Sequence, residues 1–380
     1  MRDKSLQHFY QLYQRRSCRP RLIAIALLCA SVVGLLSCEE ESIPTYSAGC
    51  PDVAINENLY PIFYWGYGTL QDWVPNVGNP ASDVGSPQWI CPDSILVASI
   101  TTHDGVTTIG AFSVHIDPAT LAYEGVTEYP YEYASGIYFI RWDNESASVF
   151  VLDSPAPSTS RIVRCHLSSA GLVPDEEVVG PAWKPRYMCP WPGHDGVVFS
   201  GVDPLSGIGG VYWRRPGGMA DSLLFAPTGP EILASRFSIT ADGENLLLGL
   251  DLAGSRTCQL VSVSTQTPGV QRVIVTRAKY SLQAEANPAD PDIAAYVYHF
   301  IGDDTDPPQD IVEIVRLSTG DSIKLDVRTY PFPSTCRFPR VESVSWDPTG
   351  RDLAIASGAE DSEGQRYRFR LWAFRNVPIK

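Results

Sequence analysis

Two kinds of apolar pattern divide this chain. From Leu22 to Leu36 the apolar character runs on without a charged residue, interrupted only by small side chains. From about residue 87 onward the apolar positions come instead in short bursts with a period of two, each introduced by a turn signal. The clearest burst is Trp346-Asp347-Pro348-Thr349-Gly350 followed by Leu353 and Ile355. Ile239 with Leu246 and Leu248, and Trp142 with Val149 and Val151, repeat it at the same offsets, and Ala286 with Ile293 and Ala295 is a fourth copy. Looser copies start at Trp89 and at Cys189. Alternation over a few residues bounded by Pro, Asp and Gly is the signature of a strand entered through a tight turn.

The anchors Trp89, Trp142, Cys189, Ile239, Ala286 and Trp346 are 53, 47, 50, 47 and 60 residues apart, room for four short strands and their turns in each interval. Third strands are read at Gly110–Ile116, Ser160–Leu167, Cys258–Val263 and Asp310–Leu317. Composition agrees, since 31 prolines, 30 glycines and 18 tyrosines against three methionines suit many short strands better than long helices.

The repeated phrase resembles the WD-like β-propeller repeat of the TolB family, which reads aromatic, Ser, Pro, Asp, Gly and then an apolar alternation. The resemblance covers about residues 86–376 and implies an all-β propeller of six four-stranded blades. A seventh, irregular blade within residues 53–85 stays open, as does a β-sandwich. Cys189 and Ala286 depart from the family's aromatic residue, and Ser94 and Ser146 from its turn glycine. A propeller must fasten its last sheet to its first. The C-terminal repeat offers strands at Asp352–Ser357 and Tyr367–Phe374 and then ends, so the aromatic segment Ile62–Tyr67 is expected to supply its missing strand. That closure would bring the neighbourhoods of Cys50 and Cys336 together, which makes this pair the candidate disulfide among six cysteines with no C-x-x-C spacing.

The N-terminal apolar run follows Arg15, Arg16, Arg19 and Arg21 and ends in Leu35-Leu36-Ser37-Cys38. This arrangement resembles a bacterial lipoprotein signal peptide with its lipobox, in which the cysteine becomes the lipidated mature N-terminus. An uncleaved anchor helix is the alternative. The expected organisation is a signal peptide over 1–37, a tether over 38–58 and the propeller over 59–380. By the same resemblance, Glu39 after the cysteine directs the protein to the outer membrane of the cell envelope. Cleavage removes six of the 29 basic and one of the 43 acidic residues and leaves a formal charge of −19, which makes nucleic acid a poor partner.

No hydrolase elbow or phosphate loop is present, and no catalytic, metal or cofactor residue is assigned. His103 and His194 each stand beside an aspartate at a turn, and His115, His166 and His299 fall in or beside strands. The acidic stretch Gly302–Asp310 lacks the spacing of a known calcium loop. The expected protein is a monomeric, non-catalytic binder of an envelope protein or glycan, held to the membrane by its lipid. The alternatives are a propeller enzyme of lactonase, lyase or glycan hydrolase type using a metal at the channel mouth, or a surface adhesion module. Cys38 is expected to carry lipid in cells. Mass spectrometry of the mature N-terminus checks this, and a Cys38→Ala protein that still fractionates with membrane as the parent does would refute it.

Overall fold

The computed structural model describes residues 53–54, 59–64 and 87–379, apart from 104–105, 216–220, 228–230, 301–308, 331–339, 361–365 and several gaps of one or two residues. The signal peptide, Cys38, Cys50 and Cys336 lie outside the described residues. Among the described residues no helix is long and apolar enough to cross a membrane.

Each repeat folds into one antiparallel sheet, and the anchor residue stands at or within two residues of the end of its first strand. Trp346 faces Leu353, Ile239 faces Leu246 and Trp142 faces Val149, so the shared offset in the sequence is a shared strand register. The two looser copies have tighter turns. There Cys91 pairs with Ser94 and Trp191 with His194, leaving two residues between the strands where the other copies hold a longer loop. Gly193, Gly243 and Gly350 turn these corners with positive φ. At Gly350 a side chain would also collide with Asn287, whose Nδ2 donates to the Gly350 carbonyl at 2.8 Å and ties one turn to the next.

The six sheets are β-propeller blades, numbered here 1 to 6 along the chain. Their inner strands are Pro87–Cys91, Ile137–Asp143, Tyr187–Trp191, the pair Glu231–Leu233 and Ser238–Ile239, Tyr280–Ala286 and Arg340–Trp346. Each inner strand touches the next, and blade 6 touches blade 1, so the ring is closed. Blade 6 is completed by Leu59–Tyr64, which pairs as outermost strand with Arg366–Phe374. The closing strand therefore starts and ends three residues earlier than the aromatic pattern suggests. Pro61 sits in it beside a register shift, and on an edge strand a proline is tolerated. Val53–Ala54 pairs with Thr329–Tyr330, between blades 5 and 6, and no seventh blade occurs among the described residues.

The apolar core lies between the blades. One cluster joins blades 1 and 2, one runs through blades 2, 3 and 4, and others join 4 to 5, 5 to 6 and 6 to 1. A second strand is thus covered on both faces, and Ser148–Asp153 is buried at every position. Where blade 6 meets blade 1 the contact is made by Ala354, Ala356 and Ala373 against Trp89 and Phe112, small residues opposite large ones. Ile239 and Trp346 are buried, while Trp142 is half-buried against the blade 1–2 cluster. Trp346 also donates from Nε1 to the Glu285 carbonyl of blade 5 at 3.2 Å.

Cys91, Cys165, Cys189 and Cys258 are free thiols carried by blades 1, 2, 3 and 4 in turn. The expected Cys50–Cys336 pair falls outside the described residues. Peptide mapping without reductant is expected to recover the Cys50–Cys336 bond; finding either thiol free or joined elsewhere refutes it. Trp346→Ala is expected to cost about 3–5 kcal/mol, read from denaturant unfolding, because the buried site cannot collapse around an alanine.

Candidate functional site: the propeller axis

A radial sheet leaves the inner edge of its first strand unpaired. These N–H groups must find partners or lose hydrogen-bond energy on burial. Side chains of the preceding blade supply them. Trp142 N donates to Gln88 Oε1 at 3.4 Å, Ala286 N to Ser238 Oγ at 2.7 Å, and Trp89 N to Ser345 Oγ at 3.2 Å. Gln88, Ser238 and Ser345 all stand one residue before the anchor of their own repeat. In blades 1, 4 and 6 the position is therefore a stitch to the next blade.

Three blades depart from it, and blade 3 has Met188 there, buried in the apolar cluster of blades 2 to 4. Arg141 in blade 2 and Glu285 in blade 5 hold the same position, and in a ring of six these blades stand opposite one another. Their side chains meet at the axis. Arg141 donates from Nη1 to Glu285 Oε1 at 2.7 Å and from Nη2 to Oε2 at 2.6 Å, a two-pronged, charge-assisted contact. Its Nε donates to the Tyr187 hydroxyl of blade 3 at 3.0 Å and its Nη1 also to Gln88 Oε1 of blade 1 at 3.3 Å. Glu285 accepts a further hydrogen bond from Gln283 Nε2 at 2.9 Å. Gln283 takes over the stitch that Glu285 has given up, accepting from Val344 N of blade 6 at 3.0 Å and donating to its carbonyl at 2.9 Å. Arg236 of blade 4 lies over the Phe139 ring, 5.5 Å from its centre, and its backbone bridges to Gln283. All six blades thus contribute to one polar layer.

The electrostatics follow from burial. Burial opposes the charge on Arg141, but the Glu285 carboxylate outweighs it, and the guanidinium is held charged above its ordinary range. Burial likewise raises the Tyr187 hydroxyl, which stays protonated. The Cys189 thiol in blade 3 is pushed up to about 12 by burial, with Arg141 pulling it down and Glu285 adding to the rise. It is an inert thiol at neutral pH.

The histidines singled out in the sequence do not gather here. His194 packs its ring 4.8 Å from Trp191 and 5.6 Å from Trp213, while its neighbour Asp195 pairs with Arg164 at 2.7 Å. His166 pairs with Asp175 at 2.7 Å on an exposed edge. His299 pairs with Asp310 at 2.6 Å, and Asp310 accepts from Val341 N of the next blade at 2.7 Å. His115 bridges Ser94 and Thr127 within blade 1. The side chain of His103 and the loop 301–308 lie outside the described residues. Among the described residues no three His, Cys, Asp or Glu side chains are grouped to hold a metal. Arg141, Glu285, Gln283 and Tyr187 escaped the sequence reading. The available signal was a charge at the repeat position that Gln88, Ser238 and Ser345 fill with neutral acceptors.

No family model matches this chain, and no curated protein matches it in sequence. Solved structures do resemble it. TolB from Acinetobacter baumannii is similar at 14% identity with a TM-score of 0.49, over 74% of this chain and 64% of that one, less than two thirds of its length. An oligogalacturonate lyase from Vibrio parahaemolyticus is similar at 11% identity and a TM-score of 0.44, over 76% of each chain. A puromycin-hydrolyzing peptidase of Mycobacterium tuberculosis shares 14% identity at a TM-score of 0.42, over 77% of this chain and 48% of that one. Both binding proteins and enzymes can stand on such a scaffold, and likenesses this distant concern the fold alone.

Single substitution of either axial partner strands a buried charge, so Glu285→Ala and Arg141→Ala are each expected to lose about 3–5 kcal/mol. The double variant Arg141→Ser/Glu285→Ser is expected to lose less than the two single serine variants together. A denaturant-unfolding cycle over these serine variants measures the coupling, and strict additivity would show that the pair does not act as one unit.

Proposed function

We propose that this chain is a membrane-anchored, non-catalytic β-propeller lipoprotein of the bacterial cell envelope that binds a protein or other envelope ligand. The observation that carries the non-catalytic reading is the mutual pairing at the axis. Reaction chemistry at a channel needs a base, an acid or a metal ligand free to meet the substrate. At the axis the one carboxylate facing Arg141 is engaged by three donors, and the guanidinium opposite is engaged by acceptors from three blades. The anchor rests on Leu35-Leu36-Ser37-Cys38 and the apolar run before it.

Binding is assigned to the face at which each second strand passes to the third and each sheet passes to the next, the upper face. The long connections 65–86 and 326–339 join strands whose ends lie there. Long connections between rigid elements are where recognition is built. On the same face Leu205 is 96% exposed and Ile208 46% exposed, in a loop with its own hydrogen bonds. Asp203 holds that loop, accepting from Leu205 N at 2.9 Å and Ser206 Oγ at 2.6 Å, while Gly207 N donates to its carbonyl at 2.8 Å. A backbone already braced lowers the ordering entropy that a partner must overcome when it covers these side chains.

Photo-crosslinkers placed at Leu205 and Ile208 in native cells are expected to capture an envelope component. The same probe at Val270, which is 57% exposed on the opposite, lower face, is expected to capture none. Capture from Val270 alone would overturn the assigned face. Purified mature protein that keeps a stoichiometric divalent ion through dialysis, and cleaves or eliminates a glycan or lactone with it, would overturn the non-catalytic reading.

A further inference from the structure

The geometry points to a gate: we propose that the Arg141–Glu285 pair closes the central channel near its lower end, with side chains doing what the backbone ring does not, and that it can open without unfastening the ring. The proposal stands on the axial geometry and does not rest on the lipid anchor or on the binding role.

The first support is position. Arg141 and Glu285 reach across from opposite blades within two residues of the lower ends of their inner strands, and their contact spans the axis. At the same level blades 4 and 6 carry only the short side chains Ser238 and Ser345, each bonded to the neighbouring backbone. Gln88 of blade 1 is turned to Trp142 N and the Arg141 guanidinium. Blade 3 carries Met188 at this position, packed in the apolar cluster of blades 2 to 4, and Arg236 of blade 4 lies over the Phe139 ring.

The second support is division of labour. Glu285 occupies a stitching position but does not stitch; Gln283 does so in its place, by two hydrogen bonds to Val344. Blades 5 and 6 remain joined whether Glu285 points to the axis or away from it. The two partners also differ in access, with the Glu285 side chain 11% exposed and that of Arg141 4%. Glu285 is therefore the moving part and Arg141, held by Tyr187 and Gln88 as well, the fixed one. A plain structural tie would make no such distinction, because it would be needed for the ring to hold.

Cys189 reports on the difference. It sits on the inner strand of blade 3, buried, within electrostatic reach of both gate residues. Cys165 and Cys258 are buried in blades 2 and 4, and neither gate residue acts on them. The test is labelling of the folded mature protein with N-ethylmaleimide, read cysteine by cysteine through peptide mapping. Arg141→Ser/Glu285→Ser gives blades 2 and 5 the side chain that blades 4 and 6 already use to stitch. In that protein Cys189 is expected to label at least about tenfold faster than in the parent, with Cys165 and Cys258 unchanged. Parental labelling of Cys189 in a variant that still unfolds cooperatively would overturn the gate. So would equal acceleration of all three thiols, which would make the pair a tie holding the whole ring. Should the double variant fail to fold, Arg141→Lys keeps the charge but loses the two-pronged contact. Its Cys189 is expected to label faster than in the parent by a smaller factor, and no acceleration there would equally overturn the proposal.

Discussion

Pairing of Leu59–Tyr64 with Arg366–Phe374 is the interaction on which the rest of this molecule depends. A propeller has no single core; its apolar surface is shared out between neighbouring sheets, and every sheet needs a neighbour on both faces. In a ring made from one chain, the first and last blades must meet without being consecutive in sequence. Here the last sheet is built from both ends of the described chain, so the alanine-rich face of blade 6 is held against Trp89 and Phe112 of blade 1. Loss of that strand would uncover the edge of one sheet and loosen the interface of two.

Closure in turn sets the problem at the axis. Six first strands converge with their inner edges unpaired, and the chain answers with a repeated side chain that accepts from the next blade's backbone. The answer is local and cheap, a serine or glutamine at one repeat position. In two opposite blades it gives way to opposite charges. Either change alone would bury an uncompensated charge, which is far more costly than a missing neutral hydrogen bond. Arg141 and Glu285 are intelligible only together.

The two faces of the ring differ for the same reason that the axis does. The turns on the lower face are short and lean on one another, as Gly243 does on Trp191 Nε1, whose hydrogen bond to the Gly243 carbonyl is 3.1 Å, and Gly350 on Asn287. They are parts of the fastening. On the upper face the connections are longer and carry exposed apolar residues such as Tyr133, Leu205 and Ile208.

Much of the architecture was legible in the sequence because its determinants are local. The offset from Trp346 to Leu353, repeated from Ile239 and Trp142, is a strand register, and a register is decided by a turn and a period of two. The aromatic run near residue 60 announced a strand, although its bounds were set by pairing with Phe374 and not by composition. The axial layer could not be read in the same way. Gln88, Arg141, Tyr187, Gln283 and Glu285 are spread over nearly two hundred residues and share no motif, and each is ordinary in its own strand. Their meeting is a consequence of rotation about an axis that no segment of chain encodes by itself. The sequence alone determined the blade repeats and the order of their strands, because hydrophobic alternation and turn chemistry act over a few residues. Only the closed ring decided which charges face one another across the channel, because that proximity exists only once all six blades are in place.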